Sequence, residues 1–156
     1  MNQHHPKFNA DNLPPLADFL CFATYGANLA FNRAYKPYLA ELGLTYTQWI
    51  TLLTLAEQDG LTVSELGKKL FLASNTLTPL LKGLEKQGLV TRTRAQSDER
   101  QVHIHLTEQG RALRDASSRC FAVFDTMGLT MNEVVVLQKA MAKLRDNLLD
   151  RMEKRE

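Results

Sequence analysis

The sequence lacks most features of secreted and membrane proteins. It holds two cysteines among 156 residues, too few for a disulfide scaffold, so each thiol must be considered singly. No apolar run is long enough to span a membrane, and the N-terminal residues have neither the basic nor the apolar region of a signal peptide. We therefore expect a cytoplasmic protein.

Motifs for enzymatic and metal chemistry are also missing. The four histidines, His4, His5, His103 and His105, do not combine with other His, Cys, Asp or Glu residues at zinc-ligand spacing. There is no glycine-rich phosphate loop, nucleophile elbow or histidine-carboxylate motif. The sequence thus predicts no metal site, no cofactor and no enzymatic activity.

The composition favours one globular domain. Hydrophobic residues make up 44% of the chain, which is enough for a substantial core at this length. We expect residues 1–156 to form a single, mainly α-helical domain with a small β-hairpin, preceded by a frayed arm at residues 1–12.

Residues 61–106 predict two helices followed by a basic hairpin. Thr62 can cap the first helix, with Glu65 completing a capping box. A second helix begins near Ser74 and ends at Gly88. Beyond Gly88 the apolar period changes from helical to two, which indicates a hairpin. This order is typical of a winged helix-turn-helix that binds duplex DNA.

Pro79 leaves two starts open for the second helix. If Ser74 is the cap, Pro79 lies beyond the first turn and removes one backbone hydrogen bond. If Thr78 is the cap, Pro79 is the favoured first residue. We expect the longer helix, bent at the proline.

The outer face of this second helix is small, polar and basic, so hydroxyls and amides can reach base edges while lysines reach phosphates. Residues 61–106 contain seven Lys and Arg against four Asp and Glu, a net charge of +3, whereas the whole chain carries +2. Charged helix faces are often merely solvated, so the order of elements matters more than the charge. The predicted DNA-binding residues are Ser74, Asn75, Thr76, Thr78, Lys82, Arg92 and Arg94.

Amphipathic helices flank this unit. They are predicted over about 16–39, from a cap at Thr45 to about 58, from a cap at Thr107 to 127, and from a cap at Thr130 to 152. A small winged core cannot bury all of their apolar stripes, so we expect residues 13–45 and 107–156 to form a homodimer interface. Two recognition helices one duplex turn apart would bind a pseudo-palindromic operator.

The residues Leu89-Val90 after the second helix and Asp98-Glu99-Arg100 in the wing resemble the MarR family of dimeric regulators. More narrowly, five stretches resemble the organic-hydroperoxide-sensing repressors of the OhrR type: LCFATY (20–25), YKP (35–37), LGLTYTQ (42–48), LTV (61–63) and TLTPLLK (76–82). The resemblance covers roughly residues 16–113 and is most specific around Cys21. It departs from the pattern at Thr47, Trp49, Ala73 and Asn75.

The resemblance implies a repressor that leaves DNA when Cys21 is oxidised, with Tyr35 and Tyr46 holding the thiol and Tyr25 nearby. Tyr35 lies fourteen residues beyond Cys21, roughly 21 Å along a straight helix, so any contact between them must cross the dimer. A thiolate attacks peroxide and becomes a sulfenic acid. The bulky apolar neighbours of Cys21 suit an organic hydroperoxide as effector. The alternative is an inert, buried cysteine.

Two further roles are implied by the resemblance. Arg100 would enter the minor groove with Asp98 orienting it, the alternative being a solvated ion pair. Cys120 is a candidate for resolving the oxidised thiol. However, it lies on an apolar stripe and earlier than the second cysteine of some relatives, so a core role is favoured and a small thiol could resolve Cys21 instead.

Three functions remain open. We favour a hydroperoxide-sensing repressor. A MarR-type repressor could instead be released by a phenolic ligand in a pocket beside Tyr25, Tyr46 and Trp49. The third is a thiol peroxidase with an incidental basic surface, which would show little salt-dependent DNA affinity.

Overall fold

The computed structural model describes residues 13–94 and 101–154, apart from the side chain at position 153. The predicted N-terminal arm and the wing turn with Asp98 and Arg100 lie outside the described residues. The chain divides into two compact units, one up to Phe121 and the other from Ala122 onward.

The described residues are mainly helical with a small sheet, which confirms the predicted fold class. The α-helices are α1 (Leu20–Glu41), α2 (Tyr46–Glu57), α3 (Val63–Leu70), α4 (Ser74–Lys86), α5 (Glu108–Ala116) and α6 (Met131–Glu153). Two segments are 3₁₀ helices, Leu16–Asp18 and Ser117–Thr126. The strands are β1 (Leu61–Thr62), β2 (Val90–Arg94) and β3 (Val102–Leu106).

Threonine caps begin four of these helices, as predicted. In three of them the threonine side chain accepts from the backbone N–H three residues on, and the Gln or Glu at that position accepts from the cap N–H, a complete capping box. In the fourth, the Thr107 hydroxyl accepts from the Gly110 N–H at 3.0 Å. The boxes are Thr45 with Gln48, Thr62 with Glu65, and Thr130 with Glu133.

The fourth helix is the longer of the two alternatives and contains Pro79. Its cap is Ala73 rather than Ser74, and Ala73 makes no side-chain capping bond. The Thr78 hydroxyl donates to the Ser74 carbonyl at 2.7 Å. This is the usual bond of a helical threonine to the carbonyl four residues earlier. The carbonyl that lacks a helical donor because of Pro79 is the next one, that of Asn75. Gly88 follows the helix with φ +72°, which confirms its predicted role as terminator.

The predicted hairpin is part of a three-stranded antiparallel sheet with the order β1-β3-β2. Arg92 of β2 pairs with Ile104 of β3, and Leu61 of β1 pairs with Ile104 from the other side. The residues that alternate on β3 face the core, with Ile104 and Leu106 buried and Val102 half-buried. The first strand was not predicted because two residues are too short to show a period.

Two predicted helix boundaries were wrong. Phe19 is extended at φ −79° and ψ 123°, so α1 begins at Leu20 and only a 3₁₀ turn precedes it. The fifth helix becomes 3₁₀ at Ser117. The Ser117 hydroxyl donates to the Arg114 carbonyl and accepts from Trp49 Nε1. A side-chain bond to the preceding turn competes with the regular helical pattern at this point.

The core lies around α2, α3, α4 and the sheet, and the terminal helices stay largely exposed. Fully buried leucines and isoleucine fill the core: Leu52, Leu55, Leu66, Leu77, Leu81, Leu84 and Ile104. By contrast, α1 buries Tyr35 and Leu39 alone. Large apolar side chains are exposed on α1 (Leu20, Phe22, Tyr25, Leu29, Phe31) and on α6 (Val135, Val136, Leu137, Leu148, Leu149, Met152).

No single helix in the described parts of the chain is both long and apolar enough to cross a membrane. The bent pair Glu108–Thr126 and Met131–Met152 reaches that length and composition only when its two members are taken together.

Replacing Gly110 with alanine should destabilise the fold. The added Cβ would overlap the Leu89 carbonyl oxygen, so the start of α5 would have to move away from the end of α4. We expect a loss of about 1–3 kcal/mol, measured by urea unfolding. The matched control is Gly83→Ala within α4, where the nearest atom, Gln48 Nε2, lies 3.7 Å away. That variant should be neutral or gain up to about 1 kcal/mol. Equal stabilities for the two variants would contradict this account.

Candidate thiol site and nucleic-acid interface

Cys21 is exposed and occupies the first turn of α1. The cap residue Phe19 makes no side-chain capping bond there. A thiolate formed at this position would lie at the positive end of the dipole of a 22-residue helix. Its neighbours are exposed and apolar, with Leu20 at 61% and Tyr25 at 58% of their full exposure. The structure thus places a reachable thiol beside an apolar surface.

The predicted tyrosines divide into two groups. Tyr35 of α1 is buried, with its ring centroid 5.3 Å from that of Tyr46 and 5.1 Å from that of Trp49, both in α2. Tyr25 instead lies one turn from Cys21, with its ring 6.3 Å from Phe22. Since one continuous helix holds Cys21 and Tyr35, they are roughly 21 Å apart in the same chain.

The phenols of the buried Tyr35 and the half-buried Tyr46 remain protonated at neutral pH. Burial raises the pKa of Tyr35, and the neighbouring Tyr46 and Cys120 raise it further. Burial also raises the pKa of Tyr46. Each phenol is therefore a hydrogen-bond donor, the form that could hold a thiolate or a sulfenate.

Cys120 belongs to this tyrosine group and not to the Cys21 region. It lies in the 3₁₀ segment, is fully buried, and contributes to the raised pKa of Tyr35. Burial raises the pKa of its thiol despite the nearby Arg119 guanidinium. A buried, protonated thiol is a poor nucleophile, in keeping with the favoured core role.

Ser117 also belongs to the group formed by Tyr35, Tyr46, Trp49 and Cys120, although no sequence pattern predicted it. Its hydroxyl accepts a hydrogen bond from Trp49 Nε1 at 2.8 Å. The ring of Trp49 also lies 6.2 Å from that of Phe121. Ser117 and Trp49 are 68 positions apart, so no local pattern could have revealed the contact. Among the described residues, no group of three or more His, Cys, Asp or Glu side chains could hold a metal ion.

The candidate DNA-binding face of α4 is solvent-accessible. Leu77, Leu81 and Leu84 are buried on the opposite side of the helix. The predicted contact residues are Ser74, Asn75, Thr76 and Lys82, which are exposed, and Thr78, which is half-buried with its hydroxyl bonded to the backbone. The surface presented to solvent is therefore polar and carries one lysine at its middle.

The two predicted arginines of β2 differ. Arg94 is exposed. Arg92 is half-buried, and its Nη1 lies 3.7 Å from Glu85 Oε2 at the end of α4. Arg94 is thus the better placed of the two for a phosphate, while Arg92 connects the wing to α4.

Comparison with known proteins agrees with this architecture. The family model for the transcriptional regulator SarA/Rot matches residues 33–116. The HTH-type transcriptional regulator TtmR of Methylorubrum extorquens is 47% identical over 140 residues, covering 88% of this chain and 71% of that protein. The organic hydroperoxide resistance transcriptional regulator of Bacillus subtilis is 47% identical over 100 residues, covering 64% of this chain and 68% of its own.

A solved structure shows the same fold. Reduced AbfR bound to DNA, a protein of Staphylococcus epidermidis, superposes with a TM-score of 0.75 at 36% identity, covering 88% of this chain and 94% of that one. AbfR has also been solved with a disulfide formed. Because the family model spans more than half of the sequence and these relatives match over most of their length, the chain belongs to the SarA/Rot family of transcriptional regulators, with the MarR-like winged-helix fold.

Proposed function

We propose that this regulator is a dimeric, DNA-binding repressor that senses organic hydroperoxides through Cys21 and then releases its operator. The observation that carries the proposal is the placement of the thiol and the phenols. Cys21 is exposed at one end of α1, whereas Tyr35, near the other end, is buried with its ring against that of the half-buried Tyr46 of α2. The names of two relatives, a hydroperoxide resistance regulator and a protein solved in reduced and disulfide states, support the same chemistry.

A second copy of the chain would complete the site. One continuous helix separates Cys21 from Tyr35, so the tyrosine pair can meet only the Cys21 of a partner. The exposed apolar side chains of α1 and α6 supply surface for that association. Two-fold symmetry would then form two equivalent thiol sites and present two α4 helices to DNA.

The reaction at Cys21 follows from the thiolate. Its sulfur attacks the terminal oxygen of the hydroperoxide, a sulfur–oxygen bond forms, the oxygen–oxygen bond breaks, and the alkoxide leaves and takes up a proton as an alcohol. The sulfur is oxidised to a sulfenic acid and the peroxide is reduced. Cys120 is poorly suited to react with the sulfenic acid, because its thiol is buried and protonated. A small thiol can instead condense with the sulfenic acid to form a disulfide and release water.

The DNA interface would be the exposed face of α4 together with Arg94. Hydroxyl and amide groups at Ser74, Asn75 and Thr76 suit base edges, and Lys82 suits a phosphate. The DNA-bound structure of the related AbfR supports this assignment. For Asp98 and Arg100, which lie outside the described residues, minor-groove contact remains a prediction.

Replacing Cys21 with serine should abolish the response to peroxide. We expect an organic hydroperoxide to weaken operator binding by the wild type by about tenfold or more, equivalent to ~1.4 kcal/mol, and to leave Cys21→Ser unchanged. Gel-shift titration with and without cumene hydroperoxide measures this.

Cys120→Ser serves as the matched control for that experiment and should still be released, because its buried thiol takes no part in the first step. Release of Cys21→Ser at the same dose would contradict the proposal. Release of the wild type and of Cys21→Ser from DNA by an aromatic acid, with no response of either to the oxidant, would favour the phenolic-ligand alternative. Catalytic peroxide turnover without salt-dependent DNA binding would favour the peroxidase.

Replacing Lys82 with glutamine should weaken DNA binding through the loss of one phosphate contact. The slope of log affinity against log salt should fall by about 0.9, with little change in sequence preference. Fluorescence anisotropy at several salt concentrations gives the slope. Lys139→Gln removes an exposed lysine from α6 and should leave the slope unchanged. An unaltered slope for Lys82→Gln would remove this residue from the interface.

A further inference from the structure

We propose that Asp59 is a positioning residue that joins α5 to the wing, so that changes at the tyrosine–Cys120 cluster reach the DNA-binding unit through α5. The inference rests on the proposed function and extends it to the route by which the thiol site controls DNA binding. The cluster comprises Tyr35, Tyr46, Trp49, Ser117 and Cys120.

The carboxylate of Asp59 connects three separate elements. Asp59 lies in the short linker between α2 and β1. Its Oδ1 accepts the backbone N–H of Leu106, the last residue of β3, at 2.8 Å. Its Oδ2 accepts from Arg111 Nη2 of α5, also at 2.8 Å. One side chain therefore holds the end of α2, the wing and the fifth helix together.

The charge state of Asp59 strengthens these bonds. Partial burial would raise its pKa, but the hydrogen bonds from Leu106 and Arg111 outweigh burial and hold the pKa below its usual value. The carboxylate is consequently ionised at neutral pH, and both bonds are charge-assisted. His105 Nδ1 lies 3.7 Å from Oδ2 on the same side.

The residue after Asp59 is attached to the same strand. The Gly60 N–H donates to the Ile104 carbonyl at 3.1 Å, and His103 Nδ1 lies 2.8 Å from the Gly60 carbonyl oxygen. The linker and β3 are thus bonded at successive positions. Any displacement of the linker would be transferred to the wing strand.

The start of α5 is also hydrogen-bonded to the residues that directly follow α4, the proposed recognition helix. The Thr107 hydroxyl donates to the Gly88 carbonyl at 2.7 Å, and the Thr107 N–H donates to the Leu89 carbonyl at 3.2 Å. Through Thr107 the helix holds the end of α4, and through Arg111 it holds Asp59 and the wing. The first turn of α5 therefore contacts both DNA-binding elements.

The other end of this helix leads directly into the cluster. Only nine positions separate Arg111 from Cys120, and the connecting turn is held by the bond from Trp49 to Ser117. A partner's oxidised Cys21 that displaced Tyr35 would displace Trp49, whose ring centroid lies 5.1 Å from that of Tyr35, and would act on α5 through the bond from Trp49 to Ser117. Packed cores shift between discrete arrangements rather than deforming smoothly. A displacement at Ser117 would therefore move the short helix α5 as a whole, including the turn that carries Arg111.

The experiment compares coupling in the wild type, Asp59→Asn and Arg111→Gln, with Asp115→Asn as the matched control. Asp115 is also an acid of α5, but it pairs with the adjacent Arg114 at 2.9 Å and not with the wing. The ligand is a duplex that the wild type selects from a random-sequence library. The first readout is the ratio of DNA affinities before and after cumene hydroperoxide. The second is the change in emission of Trp49, the single tryptophan, when DNA binds without any oxidant.

We expect oxidation to lower the DNA affinity by about tenfold or more in the wild type and in Asp115→Asn, which is a coupling within the usual allosteric range. In Asp59→Asn and Arg111→Gln the affinity should fall by less than about threefold. Cys21 should form sulfenic acid at the same rate in all four proteins, as measured by mass spectrometry after trapping. DNA should change Trp49 emission in the wild type and in the control, but not in the two variants, because coupling between two sites is reciprocal.

The two proposals fail in different ways. Unchanged DNA affinity of the wild type after oxidation would contradict the sensing function, and the Trp49 readout would still decide the role of Asp59. Wild-type coupling in both Asp59→Asn and Arg111→Gln would overturn the inference. Slower oxidation of Cys21 in these variants would also overturn the inference, because Asp59 would then affect the thiol itself. The same holds if the emission of Trp49 in the wild type does not change when DNA binds.

Discussion

The length and continuity of α1 impose the constraint on which the candidate site depends. A helix of 22 residues holds Cys21 and Tyr35 apart, and no rotamer of either side chain can close a gap of roughly 21 Å. The phenol of Tyr35 is buried beside Trp49 and the half-buried Tyr46, while the thiol is exposed among apolar side chains. Thiol and phenols can act together only if a second copy of the chain brings its own α1 alongside.

The same separation distinguishes the two thiols chemically. Cys21 is exposed in the first turn of α1. Cys120 is buried beside Tyr35, where desolvation opposes a charge. In the proposed function, oxidation begins at Cys21, because this thiol is exposed and that of Cys120 is buried.

Local signals in the sequence were sufficient to predict most of the fold. Capping boxes at Thr45, Thr62 and Thr130 depend on residues three positions apart, so they are visible in the sequence and were confirmed. The 3₁₀ segment was missed, because Ser117 is held by Trp49 from a distant part of the chain. The role of Asp59 was missed for the same reason, since its partners Leu106 and Arg111 lie some fifty residues away. Arg92 and Arg94 were predicted alike, but Arg92 is half-buried near Glu85 and Arg94 is exposed.

Close backbone contact makes α4 and α5 a single mechanical unit. Gly110 approaches the Leu89 carbonyl too closely for a β-carbon, and Thr107 bonds to the Gly88 carbonyl. The start of α5 cannot turn without carrying the end of α4 with it, because well-packed contacts leave no free volume to absorb the motion. In the proposed dimeric repressor, two α4 helices would have to match the fixed repeat of a duplex. A small rotation of α5 in each subunit would then break the match without a large rearrangement.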